Sequence, residues 1–213
     1  RQGGKSLTAE ACGYVKAAYT PGCDHVCIAD TKDRDEYLHR RVHLIHQNWP
    51  DVVRADTVPN REVRQLSFQH GGKMRILSGE SGAVGIGQSP DSFHGSELPW
   101  WRAAGSQCSM MYPSMINRDH AQVLLEATPA PMSMPSTEWW RDQCRDSKLG
   151  LGRWVYAFFP SWDGKLNARP WPKNSKLTDE EIGLLNRYKH LGLKKENLAF
   201  RRLMIETDAE IRR

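Results

Sequence analysis

The feature that most constrains the fold is the alternation of short apolar runs with helical patterns along the first three quarters of the chain. The strand candidates are residues 25–29, 62–68, 73–77, 91–97, 123–127 and 154–159. The helix candidates are residues 6–19, 31–48, 100–111 and 136–148. Helices placed between short apolar strands allow the strands to pair in parallel. The sequence therefore predicts an α/β fold with a mainly parallel sheet flanked by helices.

The pattern changes near residue 172, beyond which only helices are predicted. Residues 163–175 are rich in Pro, Asn and Lys, which is typical of a linker. Thr178 and Glu181 then form the capping box of a first helix, in which each side chain serves the other residue's backbone amide. Helices are expected at residues 179–190 and 194–212. We therefore predict two domains, residues 1–172 and a small helical subdomain or lid of residues 173–213.

Charge and cysteine content limit the classes of function. The net charge of +5 is compatible with binding to a polyanion, although many basic proteins never contact nucleic acid. Five cysteines at scattered spacings lack the pattern of a zinc site, which favours reduced, structural thiols. No uninterrupted apolar run approaches the roughly 18 residues of a membrane span, so no membrane association is expected.

The strongest local signal is Gly3-Gly4-Lys5-Ser6 at the start of a helix. In a phosphate-binding loop, glycines let backbone amides close around phosphate oxygens, the lysine meets the β- and γ-phosphates, and the hydroxyl holds Mg²⁺. Gly-Lys-Ser also occurs by chance, but a helix and then a buried strand follow it here. We therefore predict binding of ATP and Mg²⁺, and we expect the first half of the loop and its strand to precede residue 1.

Such a loop needs a carboxylate from a later strand to position Mg²⁺ and polarise the attacking water. Glu97 ends the strand predicted at residues 91–97, and Ser96 stands where an aspartate is more usual. We therefore predict that Glu97 is the catalytic base. Ser96 is predicted to bind the metal, either directly or through a water molecule. A solvated carboxylate at a strand end is the alternative interpretation of Glu97.

Four segments in this order resemble the large subunits of phage terminases, the motors that package DNA. They are Arg-Gln-Gly-Gly-Lys-Ser, Ser-Pro-Asp-Ser-Phe-His-Gly-Ser-Glu-Leu-Pro-Trp-Trp, Leu-Glu-Ala-Thr-Pro and Tyr-Ala-Phe-Phe-Pro-Ser-Trp. The His-Gly-Ser-Glu block is the most specific, because Ser-Glu replaces Asp-Glu in the Walker B motif of one branch of these motors. The resemblance spans residues 1–172 and implies a P-loop ATPase of the additional-strand type.

The resemblance also implies roles for individual residues. Lys5 and Ser6 match the ligands of phosphate and Mg²⁺, beside Gly3 and Gly4 of the loop, and Arg1 matches an early arginine of Walker A. Glu97 matches the Walker B glutamate. Thr128, within Glu126-Ala127-Thr128, matches the coupling motif that senses the γ-phosphate; a capping hydroxyl before Pro129 is its alternative.

One departure concerns the arginine that these motors supply to a neighbouring subunit. The loop of residues 82–88 contains no arginine, which leaves Arg75 and Arg102 as candidates.

The resemblance implies double-stranded DNA, a portal protein and a small terminase subunit as partners, a ring of identical subunits, and action in the host cytoplasm. It also implies a C-terminal nuclease domain, which we expect to be absent from this chain.

Two other functions stay open. A superfamily 2 helicase-like, DNA-dependent ATPase shares the sheet and the loop, but normally shows Asp-Glu-x-His/Asp where this chain has Ser96-Glu97. A non-hydrolysing DNA-binding or assembly module with a decayed loop is the alternative outside the enzymes.

Among the weaker signals, a solvated helix face is favoured over a metal site for His39 and His43. Core packing is favoured over base stacking for one tryptophan each of Trp100-Trp101 and Trp139-Trp140.

Overall fold

The computed structural model describes residues 5–59, 64–81, 89–115, 118, 121–152, 154–163 and 167–211. Its sheet has five strands, which are β1 (Asp24–Ala29), β2 (Gln65–Ser67), β3 (Lys73–Ser78), β4 (Ser92–Ser96) and β5 (Gln122–Glu126). Their spatial order is β2-β3-β1-β4-β5. All neighbours pair in parallel except β2 and β3, which form a hairpin. The predicted mainly parallel sheet flanked by helices is confirmed.

The described residues form six α-helices. They are α1 (Lys5–Tyr19), α2 (Lys32–Gln47), α3 (Ala104–Met115), α4 (Thr137–Lys148), α5 (Asp179–Tyr188) and α6 (Lys195–Ile211). Thr31 caps α2, because its hydroxyl accepts a hydrogen bond from the amide of Arg34. The helix predicted at residues 100–111 begins later, at Ala104. A short 3₁₀ turn, Leu98–Trp100, and an extended Trp101 come before it.

The sheet carries a hydrophobic cluster on each face. The helices α1 and α2 cover one face, and its buried cluster includes Tyr14, Leu38, Phe68, Met74 and Ile76. The helix α3 covers the other face, and its buried cluster includes Val26, Phe93, Leu98, Trp101, Cys108 and Met111. Side chains of β1 divide between the two clusters because successive residues of a strand point to opposite faces.

The prediction of a strand at residues 154–159 is wrong. The segment forms no strand, and several of its apolar side chains are exposed, among them Val155 at 98% and Phe159 at 57%. A strand requires backbone hydrogen bonds to a neighbouring strand, and the five described strands of the sheet pair only among themselves. An apolar run alone therefore did not suffice to predict a strand here.

The chain divides into two compact units, Lys5–Tyr156 and a second unit that contains Ala157–Arg213. In the second unit the predicted capping box is present. The Thr178 amide donates to Glu181 Oε2 at 2.9 Å, and the Glu181 amide donates to Thr178 Oγ1 at 3.2 Å. Arg202 pairs with the same carboxylate, and its hydrogen bonds lower the pKa of Glu181 to about 2.

None of the described helices is both long enough and apolar enough to cross a membrane.

Candidate active site at the carboxyl edge of the sheet

The candidate site lies where the carboxyl ends of β4 and β5 meet the first turn of α1. The parallel register of the two strands sets Ser96 beside Glu126, each the last residue of its strand. Lys5 and Ser6 are the first two residues of α1, whose amino terminus carries partial positive charge. Parallel strands end at the same edge of a sheet, so residues far apart in sequence meet there.

Glu126 joins the two predicted metal-binding hydroxyls. Its Oε1 atom accepts a hydrogen bond from the Ser96 hydroxyl at 3.3 Å and lies 3.1 Å from His94 Nε2. The Ser6 hydroxyl also bonds to this carboxylate. Burial alone would raise the pKa of Glu126, but His94, Ser6 and Ser96 together hold that pKa below its ordinary value. Glu126 is therefore a carboxylate kept ionised between two serine hydroxyls.

Glu97, the predicted base, occupies an unusual backbone conformation. It is in the left-handed region at φ 57° and ψ 46°, where it begins the 3₁₀ turn Leu98–Trp100. Left-handed backbone costs a non-glycine residue roughly 1–2 kcal/mol, and such strain is concentrated at functional sites. The Glu97 amide donates to the Glu126 carbonyl at 2.8 Å, and this bond ties the turn to the end of β5.

The side chain of Glu97 is fixed by Thr128. Its Oε2 atom accepts hydrogen bonds from the Thr128 amide at 3.0 Å and from the Thr128 hydroxyl at 2.8 Å. Both residues are half-buried. The two residues that the resemblance assigns to the Walker B and coupling motifs are thus in direct contact, and two donors from Thr128 set the orientation of the Glu97 carboxylate.

Trp101, on the α3 face of the sheet, packs against the turn that begins at Glu97. It is completely buried, and its indole Nε1 donates to the Ser96 carbonyl at 2.9 Å. A Cβ at Gly95 would lie 3.1 Å from the Trp101 ring and 3.2 Å from Leu125, so a residue without a side chain is favoured there. The glycine of the His-Gly-Ser-Glu block therefore lets the indole pack directly beneath the site.

A row of buried polar side chains leads to Glu126 from the middle of the sheet. His25 Nδ1 lies 2.8 Å from Ser92 Oγ, and His25 Nε2 lies 3.6 Å from Cys27 Sγ. The thiol of Cys27 in turn lies 4.0 Å from His94 Nδ1, and all four side chains are buried. Burial, followed by repulsion from His94 and Lys16, lowers the pKa of His25 to about 3. Burial also raises the pKa of the Cys27 thiol well above its ordinary value.

Glu10 is a second buried carboxyl group in this region, and the sequence analysis missed it. It is fully buried one helical turn after Ser6, with Arg41 Nε at 3.1 Å from its Oε2 atom. Burial outweighs the attraction of Arg41, and the Glu126 charge adds to the effect of burial, so the pKa of Glu10 is raised to about 8. The spacing of four residues from Ser6 was the available signal, because such pairs share one helix face.

The structure brings together Ser6, Ser96, Glu97 and Thr128, and it places Lys5 on the exposed first turn of α1. Arg1, Gly3, Gly4 and the loop of residues 82–88 lie outside the described residues. The two arginines considered as trans-acting candidates differ in environment. Arg75 is paired with Asp24 at 2.6 Å, at the amino end of β1, whereas Arg102 is exposed close to the Glu97 turn.

The paired tryptophans and the histidines of α2 have structural explanations. Trp101 is buried whereas Trp100 is 39% exposed, so one tryptophan of this pair belongs to the core, as predicted. His39 and His43 contact each other, with their Nε2 atoms 3.0 Å apart. Within the described ranges, no three His, Cys, Asp or Glu side chains are grouped so that they could hold a metal ion.

Solved structures share this fold. The ATPase domain of the large terminase of Thermus phage P74-26 matches with a TM-score of 0.50 and 19% identity over 68% of this chain and 61% of that chain. The large terminase of bacteriophage HK97 matches with a TM-score of 0.56 and 13% identity over 98% of this chain and 42% of that chain. This chain therefore spans less than two thirds of each of these chains.

A comparison with protein-family models finds no match, and a comparison with curated proteins finds none either. At identities below 20%, the structural likeness establishes the fold alone. That fold is the one of phage large terminase ATPase domains, and the predicted P-loop fold class is confirmed.

Proposed function

We propose that this chain is the ATP-hydrolysing motor domain of a phage terminase large subunit, which drives double-stranded DNA into a procapsid. The observation that carries the proposal is the cluster at the carboxyl edge of the sheet. There the first turn of α1 meets Glu126 and Ser96, beside Glu97 held by Thr128. A P-loop ATPase needs these groups at this edge, and the likeness in fold supports the assignment.

The phosphates of ATP bind at the amino terminus of α1, where backbone amides and the helix dipole attract negative charge. Lys5 would contact the β- and γ-phosphates; Gly3, Gly4 and Arg1, which the resemblance assigns to the same loop, lie outside the described residues. Ser6 and Ser96 would hold Mg²⁺, and the ionised Glu126 between their hydroxyls fits a divalent cation. When bound, Mg²⁺ neutralises charge on the phosphate oxygens.

Glu97 acts as the base. Thr128 binds Oε2 of its carboxylate and so fixes the carboxylate that would accept the proton of the attacking water. Attack forms a bond between the water oxygen and the γ-phosphorus, and the bond to the bridging oxygen of ADP breaks. The proton of the water passes to Glu97. The left-handed backbone of Glu97 and the Trp101 indole fix the position of this carboxylate.

The proposed partners follow from the same resemblance. They are double-stranded DNA, a portal protein, a small terminase subunit and further copies of the chain in a ring, and the site of action is the host cytoplasm. The net charge of +5 is compatible with contact to a DNA backbone.

The test compares ATP hydrolysis by the full-length protein and its Glu97→Ala variant. A positioned base contributes roughly 10²–10⁴-fold, so we expect phosphate release to fall by about that factor. Glu138→Ala, whose side chain is 78% exposed on α4, is the matched control and should hydrolyse ATP at the parental rate. Equal rates for Glu97→Ala and the parent protein would exclude Glu97 as the base.

The motor function needs a separate measurement. We expect double-stranded DNA together with procapsids to increase the rate of hydrolysis, and protected DNA to accumulate inside the procapsids. Hydrolysis that is indifferent to both components would leave an ATPase but would exclude a packaging motor.

A further inference from the structure

We propose that Glu126 supplies the carboxylate that faces the Mg²⁺ of bound Mg-ATP, in place of the aspartate that Ser96 replaces in the Walker B motif. The inference rests on the proposed ATPase function and assigns the metal-binding group within the same site. It separates the roles of two neighbouring carboxylates, Glu97 for the water and Glu126 for the metal.

The first reason for this assignment is the negative charge that a bound Mg²⁺ requires. In P-loop ATPases, the P-loop hydroxyl and a Walker B aspartate hold Mg²⁺ together. Magnesium is bound by proteins through one or two carboxylates with substrate phosphates and several waters. Ser96 offers a neutral hydroxyl only, so the pair of Ser6 and Ser96 lacks the negative charge that the metal requires.

The geometry places one carboxylate where that charge is missing. Glu126 ends β5, its register partner is Ser96 on β4, and its carboxylate accepts hydrogen bonds from Ser96 and Ser6. The two hydroxyls predicted to touch the metal therefore converge on a single anionic group. Its side chain is 27% exposed, so the carboxylate is accessible to an ion.

His94 holds this carboxylate in place. Its ring is completely buried, and its Nε2 atom lies 3.1 Å from Glu126 Oε1. A carboxylate can only accept a hydrogen bond, so Nε2 is the donor. The opposite nitrogen of the ring faces Cys27, so packing from within the sheet fixes the plane of the imidazole.

Glu97 is the other carboxylate at this edge, and its contacts assign it elsewhere. Its Oε2 atom is bound by the amide and the hydroxyl of Thr128. In the described part of the chain the serine hydroxyls of Ser6 and Ser96 bond to Glu126 rather than to Glu97. The division of labour between the two glutamates therefore follows from their hydrogen bonds.

The test measures the affinity for a fluorescent ATP analogue with Mg²⁺ and with EDTA. The parent protein should bind the analogue more tightly with Mg²⁺. In Glu126→Gln, which keeps the shape of the side chain, we expect the gain from Mg²⁺ to fall by about 10–100-fold, the loss typical of weakened metal sites. Affinity in EDTA should stay at the parental value. The control Glu138→Gln should keep the full gain.

The double variant Ser96→Asp/Glu126→Gln returns the carboxylate to the usual strand. We expect it to recover most of the gain from Mg²⁺, and because it is judged on recovery it also distinguishes a metal effect from misfolding. A parental gain in Glu126→Gln would overturn the proposal, as would the absence of recovery in the double variant. If the parent protein binds no ATP in either buffer, the ATPase assignment itself fails.

Discussion

The two faces of the sheet are built from different chemistry. The face under α3 is largely apolar, with Phe93, Leu98 and Trp101 completely buried, and Gln107 is a buried polar side chain of α3. The face under α1 mixes apolar side chains with His25, Cys27, Ser92, His94 and Glu10, all of them buried. Burial of a polar group costs free energy unless it finds a partner. The α3 face therefore mainly stabilises the fold. The buried polar groups of the α1 face lower its contribution to stability, but they orient the site.

The polar groups of the α1 face lie on the strands that end at the site. Ser92 and His94 are on β4, and His25 and Cys27 are their register partners on β1. Residues two apart along a strand share a face, so this row runs directly to Glu126. The α1 face can therefore transmit a fixed geometry to the site, while the opposite face resists deformation through close packing.

The largest expected effect is on the apolar face. Trp101→Ala should lower the free energy of unfolding by about 3–5 kcal/mol, because it leaves a large cavity and removes the indole bond to the Ser96 carbonyl. Urea denaturation followed by circular dichroism measures the change. Trp100→Ala is the matched control, since its ring is 39% exposed, and should cost much less. Equal losses for the two variants would remove the distinction between core and surface tryptophan.

On the polar face, Glu10 should make stability depend on pH. Its pKa in the folded protein, about 8, lies above the unfolded value of about 4.3, so the native state holds the extra proton between these values. Stability therefore falls as pH rises through this window. Relative to the parent protein, Glu10→Gln should gain up to about 3 kcal/mol between pH 4.5 and 7, at about 1.4 kcal/mol per pH unit. Urea titrations at several pH values test this, and a difference that does not change with pH would contradict it.

His25 should act in the opposite direction. Its folded pKa of about 3 lies below the unfolded value of about 6.5, so the unfolded chain binds the proton first. Stability present above pH 6.5 is lost as the pH falls towards 3, by about 2 kcal/mol between pH 6.5 and 5. His25→Asn should lack this part of the dependence, whereas the exposed His190→Asn should keep it. The idea fails if both variants follow the parental curve.

The smallest expected effect is at Gly95, on the apolar face. In Gly95→Ala the new methyl group would lie 3.1 Å from the Trp101 ring, which must shift by a few tenths of an ångström. We expect a loss of about 1 kcal/mol by overpacking. Gly183→Ala in α5 meets no atom within 4 Å and should instead stabilise its helix by roughly 0.5–1 kcal/mol. A Gly95→Ala protein as stable as its parent would show that the indole is not closely packed there.

Much of the fold was predictable because it depends on local patterns. Each described strand overlaps a segment predicted to be a strand, and the capping box of Thr178 begins its helix where expected. The segment of residues 154–159 shows the limit of such patterns. Its composition suits a strand, but a strand forms only where its backbone pairs with another strand, and composition does not describe that pairing.

The candidate site, like the fold, was predictable from the sequence only in part. By itself, the sequence determined which residue types were available and at which element ends they lie, as with Ser6, Ser96, Glu97 and Thr128. Only the tertiary structure decided their contacts, because strand order and register set which side chains meet. It joined Glu126 to Ser6 across 120 positions of sequence and buried the Glu10 side chain of α1. Periodicity is a property of neighbouring residues, whereas a binding site depends on the packing of distant ones.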